Sequence, residues 1–278
     1  MAIITSKDNP ALKLARKLKS RKGRERVGAF LVEGHKLISE AKAAGYTVEF
    51  VFLNAGAQNH PVFSEYPGGL MLEEKLFFGL AGTVTPQPVI ATVRHKDADD
   101  GLLRDARDEG IEFDEALFHR HAPGHEGEPA IRVLILDRIG DPGNVGTMVR
   151  SALAAGMSAV WCVKGTADVF SDKSIRASAG AVFHIPVREG LSVNDCLGYV
   201  LDLETKLIAC SAGGEDLFGT DLSGSLALVV GNEGAGVDEA FSEAADTVVG
   251  IPMNEAAESL NAATAAAIVM YEALRQRL

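Results

Sequence analysis

The chain has few cysteines, few aromatic residues and no long hydrophobic run. Its 278 residues include three cysteines, one tryptophan and 6% aromatic residues. Three thiols cannot form the disulfide framework of a small secreted domain, so we expect reduced, buried side chains at Cys162, Cys196 and Cys210. No run reaches the roughly 18 apolar residues of a membrane helix, and the first residues do not resemble a secretory signal. These absences predict a cytoplasmic protein without a membrane segment.

Positive charge is scarce overall but concentrated near the N-terminus. The formal net charge is −11, yet residues 1–26 contain nine Lys and Arg residues against two acidic ones, which gives +7 there and −18 elsewhere. A concentrated basic segment can attract a polyanion through its local field. The alternative is a solvated helix face that binds nothing. The residues that we expect to contact phosphate groups are Lys13, Arg16, Lys17, Lys19, Arg21, Lys22, Arg24 and Arg26.

Short apolar segments that alternate with helical ones predict a small α/β domain in residues 1–95. We expect a basic helix from residue 9 to about 20, strands at 29–32, 48–53 and 89–93, and helices at 36–44 and 73–80. Residues 96–130 are rich in charge, proline and glycine, and we interpret them as a linker. His119, His121 and His125 within it could bind a metal, although a solvated loop is the alternative.

Residues 131–278 have the most regular pattern, which is typical of an open α/β domain with a mostly parallel sheet. The predicted strands are 133–136, 159–163, 182–187, 207–211, 226–230 and 247–251. The predicted helices are 145–155, 173–177, 193–203, 238–244 and 260–275. The sequence therefore predicts a larger second domain after the proposed linker.

Three segments that follow predicted strands contain most of the chemically interesting residues of this domain. They are residues 141–156 (DPGNVGTMVRSALAAG), 231–237 (GNEGAGV) and 251–262 (IPMNEAAESLNA). In an open α/β sheet the turns after the strands lie along one edge, where ligands bind. We therefore expect the three segments to meet.

Each segment by itself also has an ordinary structural interpretation. Asn144 is placed to cap the helix that follows it, and Arg150 could belong to a structural ion pair because a charge in an apolar helix is costly without a partner. The G-x-x-G-x-G spacing that begins at Gly231 differs from the dinucleotide fingerprint and could be only a tight turn. Ser259 or Asn261 could cap the last helix.

Taken together and in this order, the three segments resemble the signature motifs of the SpoU family of RNA 2′-O-ribose methyltransferases, within the SPOUT superfamily. Upstream, ITSKDNPALK and RKGRERVGAFLVEG look like the start of the L30e-like substrate-binding domain of rRNA-modifying members. The pattern is most similar to 23S rRNA methyltransferases of the thiostrepton-resistance type. The resemblance divides the chain into an RNA-binding domain (1–95), a linker (96–130) and a methyltransferase domain (131–278).

The resemblance implies a Rossmann-like sheet that ends in a deep trefoil knot, S-adenosylmethionine as methyl donor, a homodimer and no metal. It implies a catalytic set that comprises Asn144, Arg150, Glu233, Ser259 and Asn261. It implies donor binding by Ser211, Gly231, Ile251 and Leu260. The chain departs from the family at Asp141, where Asn is frequent, and at Asn254-Glu255, where small residues or glycine are usual.

The reaction that the resemblance implies is transfer of a sulfonium methyl group to a ribose 2′-hydroxyl, for which the protein aligns two atoms and manages one proton. The family assigns that proton to the arginine at the position of Arg150. A guanidinium remains protonated in proteins, so stabilising the developing alkoxide or binding a neighbouring phosphate is the alternative.

Three other functions are compatible with parts of the pattern. A tRNA 2′-O-methyltransferase is disfavoured by the N-terminal domain, and a catalytically inert RNA-binding protein of the same fold is disfavoured by the intact polar set. A nucleotide-dependent oxidoreductase is disfavoured by the glycine spacing and by the missing acidic residue about twenty positions later. The prediction is therefore methylation of RNA, and of 23S rRNA in particular.

Overall fold

A computed structural model describes residues 3–96 and 130–278 of the chain. These residues fall into two compact units, one built on a five-stranded sheet and one on a six-stranded sheet. The segment Phe170–Arg176 is grouped with the first unit. The predicted linker lies outside the described residues except for its ends, as do His119, His121 and His125.

The first unit is a mixed sheet with short helices. Its strands are β1 (Ile3–Ile4), β2 (Ala29–Glu33), β3 (Val48–Asn54), β4 (Leu70–Leu72) and β5 (Val89–Arg94), in the spatial order β1-β4-β3-β5-β2. Its helices are α1 (Pro10–Lys17), α2 (Arg21–Val27), α3 (His35–Ala43), α4 (Val62–Glu65) and α5 (Glu74–Leu80). Helices α1 and α5 share one core cluster, in which Leu12 and Phe77 are fully buried. The expected N-terminal α/β fold is confirmed.

The basic segment forms two helices, so the prediction of a single helix to residue 20 is wrong. Helix α1 ends at Lys17, and the Ser20 side chain caps α2. Arg24 is buried, and its Nη1 donates a hydrogen bond of 2.7 Å to the Leu18 carbonyl. Arg24 was expected to contact phosphate, but its guanidinium joins the two helices instead, because it satisfies a carbonyl that the break between them leaves open.

All neighbouring strands of the second unit's sheet run parallel. The strands are β6 (Arg132–Asp137), β7 (Ala159–Val163), β8 (Val187–Leu191), β9 (Lys206–Asp216), β10 (Leu226–Gly231) and β11 (Thr247–Gly250), in the order β11-β9-β10-β6-β7-β8. The helices after β6 are α6 (Pro142–Ala154), α7 (Asp172–Ala177), α8 (Val193–Asp202), α9 (Glu239–Ala244) and α10 (Ala262–Arg275). The expected α/β architecture with a largely parallel sheet is confirmed.

The predicted strand at 182–187 and the predicted start of the last helix need correction. The expected strand at 182–187 is wrong: Ala181–Phe183 is a 3₁₀ turn, and the strand begins only at Val187. The apolar side chains of the turn are buried, and the turn packs against α6 instead of pairing in the sheet. The last helix begins at Ala262, not at residue 260, because Asn261 caps it.

The centre of the sheet consists of β6 and β10, which are buried along their whole length apart from the last residue of β10. Val133 and Ile135 of β6 share a core cluster with Ala227 and Val229 of β10. Burial of apolar runs on both faces of central parallel strands stabilises their position in the sheet. None of the helices in the described parts of the chain has the length and apolar character to cross a membrane.

Candidate functional site

The turns after β6, β10 and β11 lie at one edge of the six-stranded sheet, because all of its strands run in the same direction. Strands β6 and β10 are neighbours and end level with each other, since Asp137 pairs with Gly231. Only β9 separates β10 from β11. The three segments identified in the sequence therefore begin at the same edge.

A chain of hydrogen bonds connects one side chain from each of these segments. The Asn144 Nδ2 donates to Oε1 of Glu233 at 2.6 Å, and the Asn261 Nδ2 donates to Oδ1 of Asn144 at 3.0 Å. Both ends of the Asn144 amide are thus engaged. Among the described residues, no second group donates to the Glu233 carboxylate, so part of its acceptor capacity is open.

Asn144 does not cap α6, contrary to the prediction. The N-cap is Asp141, whose carboxylate accepts hydrogen bonds from the backbone amides of Gly143 and Asn144. Pro142 occupies the first helical position, where its missing N–H costs nothing. Because a carboxylate can cap a helix as an asparagine does, the departure at Asp141 preserves this function and leaves the Asn144 side chain available to the other segments.

The turn that carries Glu233 is held by Asn232. The Asn232 Oδ1 accepts from the backbone amides of Gly234 at 2.9 Å and Ala235 at 3.1 Å. Its Nδ2 donates to the Arg138 carbonyl at 3.0 Å, which ties the turn after β10 to the turn after β6. Glu233 is thereby presented from a turn with a defined backbone.

Gly231 has a packing role in the same turn. A Cβ at this position would overlap the backbone of Gly236 and Val237, because the turn folds back on itself immediately after the strand. Gly236 has φ +72, a left-handed conformation that favours glycine. These glycines are therefore required by the tight backbone turn itself, independently of any ligand.

A buried carboxylate at the end of β6 connects the turn after β6 to the start of the helix that follows β10. Asp137 is fully buried, and it accepts from Arg138 at 2.8 Å (Nε) and 2.9 Å (Nη2) and from the Asp238 amide at 2.8 Å. The hydrogen bond to Asp137 raises the pKa of the Arg138 guanidinium. The sequence analysis did not identify Asp137 and Arg138 as an ion pair, although an Asp-Arg dipeptide at the end of an apolar strand could have indicated one.

Arg150 lies on α6 about 9 Å along the helix axis from Asn144. Its side chain is exposed. Within residues 3–96 and 130–278 it has no hydrogen bond or ion pair, which argues against the structural ion pair considered above. The structure brings Asn144, Glu233 and Asn261 together but does not place Arg150 in hydrogen-bond contact with them.

The third segment contributes Asn261 and the exposed Ser259. The Asn261 Oδ1 accepts from the backbone amides of Ala263 at 3.0 Å and Thr264 at 3.2 Å. One amide side chain therefore caps α10 through its oxygen and reaches Asn144 through its nitrogen. The Ser259 hydroxyl has no hydrogen-bond partner in the described part of the chain.

A cavity of about 370 Å³ opens where β9 and β11 end. It is lined by residues of two segments, which are Ala212, Gly214, Asp216, Gly250, Ile251, Pro252, Met253, Asn254, Glu255 and Ala257. Of the four residues predicted to bind the donor, Ile251 lines this cavity. Ser211, Gly231 and Leu260 are not among its lining residues, and Leu260 is 37% exposed.

Comparison with known proteins relates both units to RNA-modifying enzymes. The sequence model of the SpoU rRNA Methylase family matches residues 132–271, and that of the MRM3-like substrate binding domain matches residues 9–91. The 23S rRNA (guanosine(2553)-2′-O)-methyltransferase RlmP of Bacillus subtilis (strain 168) is 35% identical over 98% of this chain and 98% of its own length. The chain belongs to the SpoU rRNA methylase family.

Solved structures of SpoU methyltransferases have the same fold over nearly the whole chain. AviRb from Streptomyces viridochromogenes, in complex with AdoMet, superimposes with a TM-score of 0.79 at 28% identity and covers 97% of this chain and 98% of its own. An AdoMet-bound rRNA methyltransferase from Sinorhizobium meliloti gives a TM-score of 0.77 at 30% identity, with 100% and 98% covered. AdoMet is S-adenosylmethionine, the donor that the SpoU motifs implied.

The cavity of this SpoU chain fits such a donor in size and chemistry. Its volume lies within the range of about 300–1,000 Å³ that is typical of small-molecule sites. The backbone N–H groups of the lining residues Ile251 and Met253 donate no hydrogen bond within the described residues and are available to a ligand. The ionisable residues of the wall are Asp216 and Glu255, whose carboxylates favour a sulfonium cation over a neutral ligand.

Proposed function

We propose that this chain transfers the methyl group of S-adenosylmethionine to a ribose 2′-hydroxyl of 23S rRNA. The observation that carries the proposal is the hydrogen-bonded set Asn144, Glu233 and Asn261 at the sheet edge where the donor-sized cavity opens. The choice of 23S rRNA is supported by RlmP, which is named for that substrate and aligns with both units of the chain.

The chemistry requires alignment more than activation. When bound, S-adenosylmethionine supplies a methyl group on a sulfonium centre that becomes a neutral thioether as the new O–CH₃ bond forms. The chain must orient the 2′-hydroxyl, accept the proton that this hydroxyl loses and stabilise the negative charge that develops on its oxygen. Asn144 is fixed at both ends of its amide, and a preorganised polar group of this kind costs no reorganisation during the reaction.

Glu233 and Arg150 have complementary roles in this proposal. The open acceptor capacity of the Glu233 carboxylate suits a hydrogen bond from the 2′-hydroxyl. Arg150 supplies a positive charge that stabilises the developing alkoxide or binds an adjacent phosphate, because its guanidinium stays protonated. Ser259 offers its hydroxyl to the substrate, and Ser211, Gly231, Ile251 and Leu260 retain their proposed part in donor binding.

The basic segment is proposed to bind the phosphates of the RNA, and its cations are expected to contribute unequally because some of them already pair with carboxylates. Lys17, Lys22 and Arg26 are exposed, and their side chains form no ion pair within the described residues. Lys13 pairs with Asp8 at 2.7 Å, and Arg21 pairs with Glu25 at 3.0 Å. We therefore expect the first three to contribute most to phosphate binding.

We also propose that the protein acts as a homodimer, in the cytoplasm, with domains at 1–95 and 131–278 and the knot that the family implies. Support for the dimer comes from α10, an alanine-rich helix that leaves Tyr271 50% exposed beside the half-buried Ile268 and Leu274. An apolar stripe of this kind suits close packing against a second helix. The cytoplasmic location is supported by a ribosomal RNA substrate and by three cysteines that form no disulfide.

The test is transfer from radiolabelled S-adenosylmethionine to unmodified 23S rRNA transcript, with a tRNA mixture as the second arm. We expect label on 23S rRNA, resistant to alkaline cleavage at one nucleotide because its 2′-oxygen is methylated. Label on tRNA alone would overturn the substrate assignment. Donor binding without transfer to either RNA would favour the inert RNA-binding alternative, and failure to bind the donor would overturn the proposed activity.

A further inference from the structure

The outer face of α5 carries an aromatic ring that the core does not enclose. Phe78 is 48% exposed, whereas its neighbour Phe77 is fully buried. The two rings meet edge to face with centroids 6.5 Å apart, so Phe78 is anchored along one side and open to solvent on the rest. A single exposed apolar residue is ordinary, and its surroundings decide whether it has a function.

Two lysines flank the open ring. Lys75 is exposed one helical turn before Phe78, at the i, i+3 spacing that places two side chains on the same face. The Lys19 Nζ donates to the carbonyls of Gly79 at 3.0 Å and Ala81 at 3.4 Å. The charge of Lys19 is thereby held at the C-terminal end of α5, beginning at the residue that follows Phe78.

The first helix extends this cationic surface. Leu12 and Leu18 share one core cluster with Leu76 and Leu80, so α1 and α5 cover the same side of the sheet. The opposite face of α1 exposes Lys13 and Lys17. Of the carboxylates nearby, Asp8 pairs with Lys13, and Glu73 and Glu74 are exposed at the start of α5.

We propose that Phe78 is a stacking platform for an unpaired base of the substrate RNA, with Lys19 and Lys75 holding the phosphates on either side of that nucleotide. This inference rests on the proposed function, because it requires an RNA substrate. Proteins recognise single-stranded loops of RNA by stacking splayed bases on aromatic rings, and lysines beside the ring supply the electrostatic attraction. A lone ring among cations is complementary to a nucleotide, whereas a protein partner needs a continuous apolar patch.

The experiment uses the full chain as wild type, Phe78→Ala, Phe78→Tyr and Val84→Ala. Val84 is fully exposed in the same unit and serves as the matched control for loss of surface apolar area. Binding is measured by anisotropy with the unmodified 23S rRNA transcript, and stacking by quenching of a 2-aminopurine-containing single-stranded RNA. Donor affinity and the unfolding midpoint in urea are recorded for each variant.

We expect Phe78→Ala to weaken RNA binding about 5- to 150-fold, which corresponds to one lost stacking interaction. The KM for RNA should rise, whereas kcat, donor affinity and the salt dependence of binding stay unchanged, because no charge is removed. Phe78→Tyr should retain binding and quenching, and Val84→Ala should match the wild type. Lys75→Ala should instead lower the magnitude of the salt slope by about 0.7.

If Phe78→Ala kept the RNA affinity and the quenching of the wild type, the stacking assignment would be overturned. The proposed function would still stand as long as the wild type transferred the methyl group to RNA. If Phe78→Ala and Phe78→Tyr both lost RNA binding and both unfolded at a lower urea concentration, the ring would have a role in folding. This outcome would also overturn the stacking assignment. A wild-type protein that binds the donor but no RNA would overturn both proposals.

Discussion

Asn144 couples the three segments of the candidate site at the level of a single side chain. Its amide nitrogen bonds to Glu233 and its amide oxygen accepts from Asn261, so one residue of α6 restrains two side chains from elsewhere in the sheet. Neither partner has a second side-chain contact that would replace Asn144 within the described residues. Loss of this amide therefore releases Glu233 and removes the link to Asn261, which is still held as the cap of α10.

Replacement of Asn144 by alanine should lower the single-turnover rate of methyl transfer about 100-fold, since displacement of reacting groups by about 1 Å costs that much. Donor affinity, measured by calorimetry, should stay near the wild-type value because the cavity wall lies in residues 212–216 and 250–257. Thr147→Ala, at an exposed position one turn further along α6, is the control and should transfer at the wild-type rate. If Asn144→Ala transferred the methyl group at the same rate as Thr147→Ala, the hydrogen bonds of Asn144 would have no role in the mechanism.

At the scale of elements, the turn after β10 depends on two glycines in different ways. A Cβ at Gly231 would overlap the backbone of Gly236, whereas a Cβ at Gly234 would meet only the Asn232 Oδ1 at 3.6 Å, an ordinary contact. Gly231→Ala should therefore destabilise the protein by about 1–3 kcal/mol and reduce transfer, because the turn presents Glu233. Gly234→Ala is the matched variant and should change the urea unfolding free energy little. Equal effects of the two substitutions would contradict the packing role of Gly231.

The last turn of α10 contains a carboxylate whose ionisation stabilises it. Hydrogen bonds from Arg275 and Gln276 lower the pKa of Glu272 to about 2, from 4.5 in an unperturbed side chain. Because the folded-state pKa is depressed, this contribution is complete above about pH 4.5 and is lost as the pH falls towards 2. Glu272→Gln should therefore lower the unfolding free energy in urea at pH 7, with a difference from wild type that shrinks by pH 3. A difference that is the same at both pH values would contradict this account.

The parts of this fold that could be predicted from sequence are those specified by local patterns. Apolar runs bounded by turn residues indicated β6, β10 and β11, and their parallel direction followed from the intervening helices. The run at 182–187 was misread because a short apolar segment is equally compatible with a buried turn. Asn144 was misread as a cap because the helix begins earlier than expected, at Pro142, and Asp141 caps it by accepting from the amides of Gly143 and Asn144. A local sequence pattern does not show which of two nearby polar residues caps a helix.

The long-range features of the site were beyond the reach of pattern reading. The hydrogen bond between Asn144 and Asn261 joins residues 117 positions apart, and nothing in either segment specifies that partner. The cavity wall includes Asp216 because β9 continues past Ser211 through two glycines, where a strand was expected to end. Arg24 belongs to a basic run, and its burial and its hydrogen bond to Leu18 distinguish it from its neighbours.

At the scale of the whole molecule, an acidic chain must bind a polyanion through a small number of cations. The net charge of −11 repels RNA at long range, so the basic segment has to supply the attraction. Of its eight predicted contacts, Arg24 is buried, Arg16 is half-buried, Lys13 and Arg21 pair with carboxylates, and Lys19 donates to backbone carbonyls of α5 while keeping its charge. Among these eight, Lys17, Lys22 and Arg26 are exposed and have no such partners in the described residues.

The combined variant Lys17→Ala, Lys22→Ala, Arg26→Ala should bind 23S rRNA more weakly, with a logarithmic salt slope smaller in magnitude by about 2 to 3, since each lost phosphate contact removes roughly 0.7–0.9. Binding is measured by anisotropy between 50 and 300 mM salt, values chosen to span roughly the range in which counterion release dominates. Lys206→Ala is the control, because this lysine of the second unit pairs with Asp221 at 3.2 Å, and its loss should leave the slope unchanged. If the triple variant kept the wild-type slope, the phosphate contacts would have to come from other cations, and the basic segment would be only a solvated helix surface.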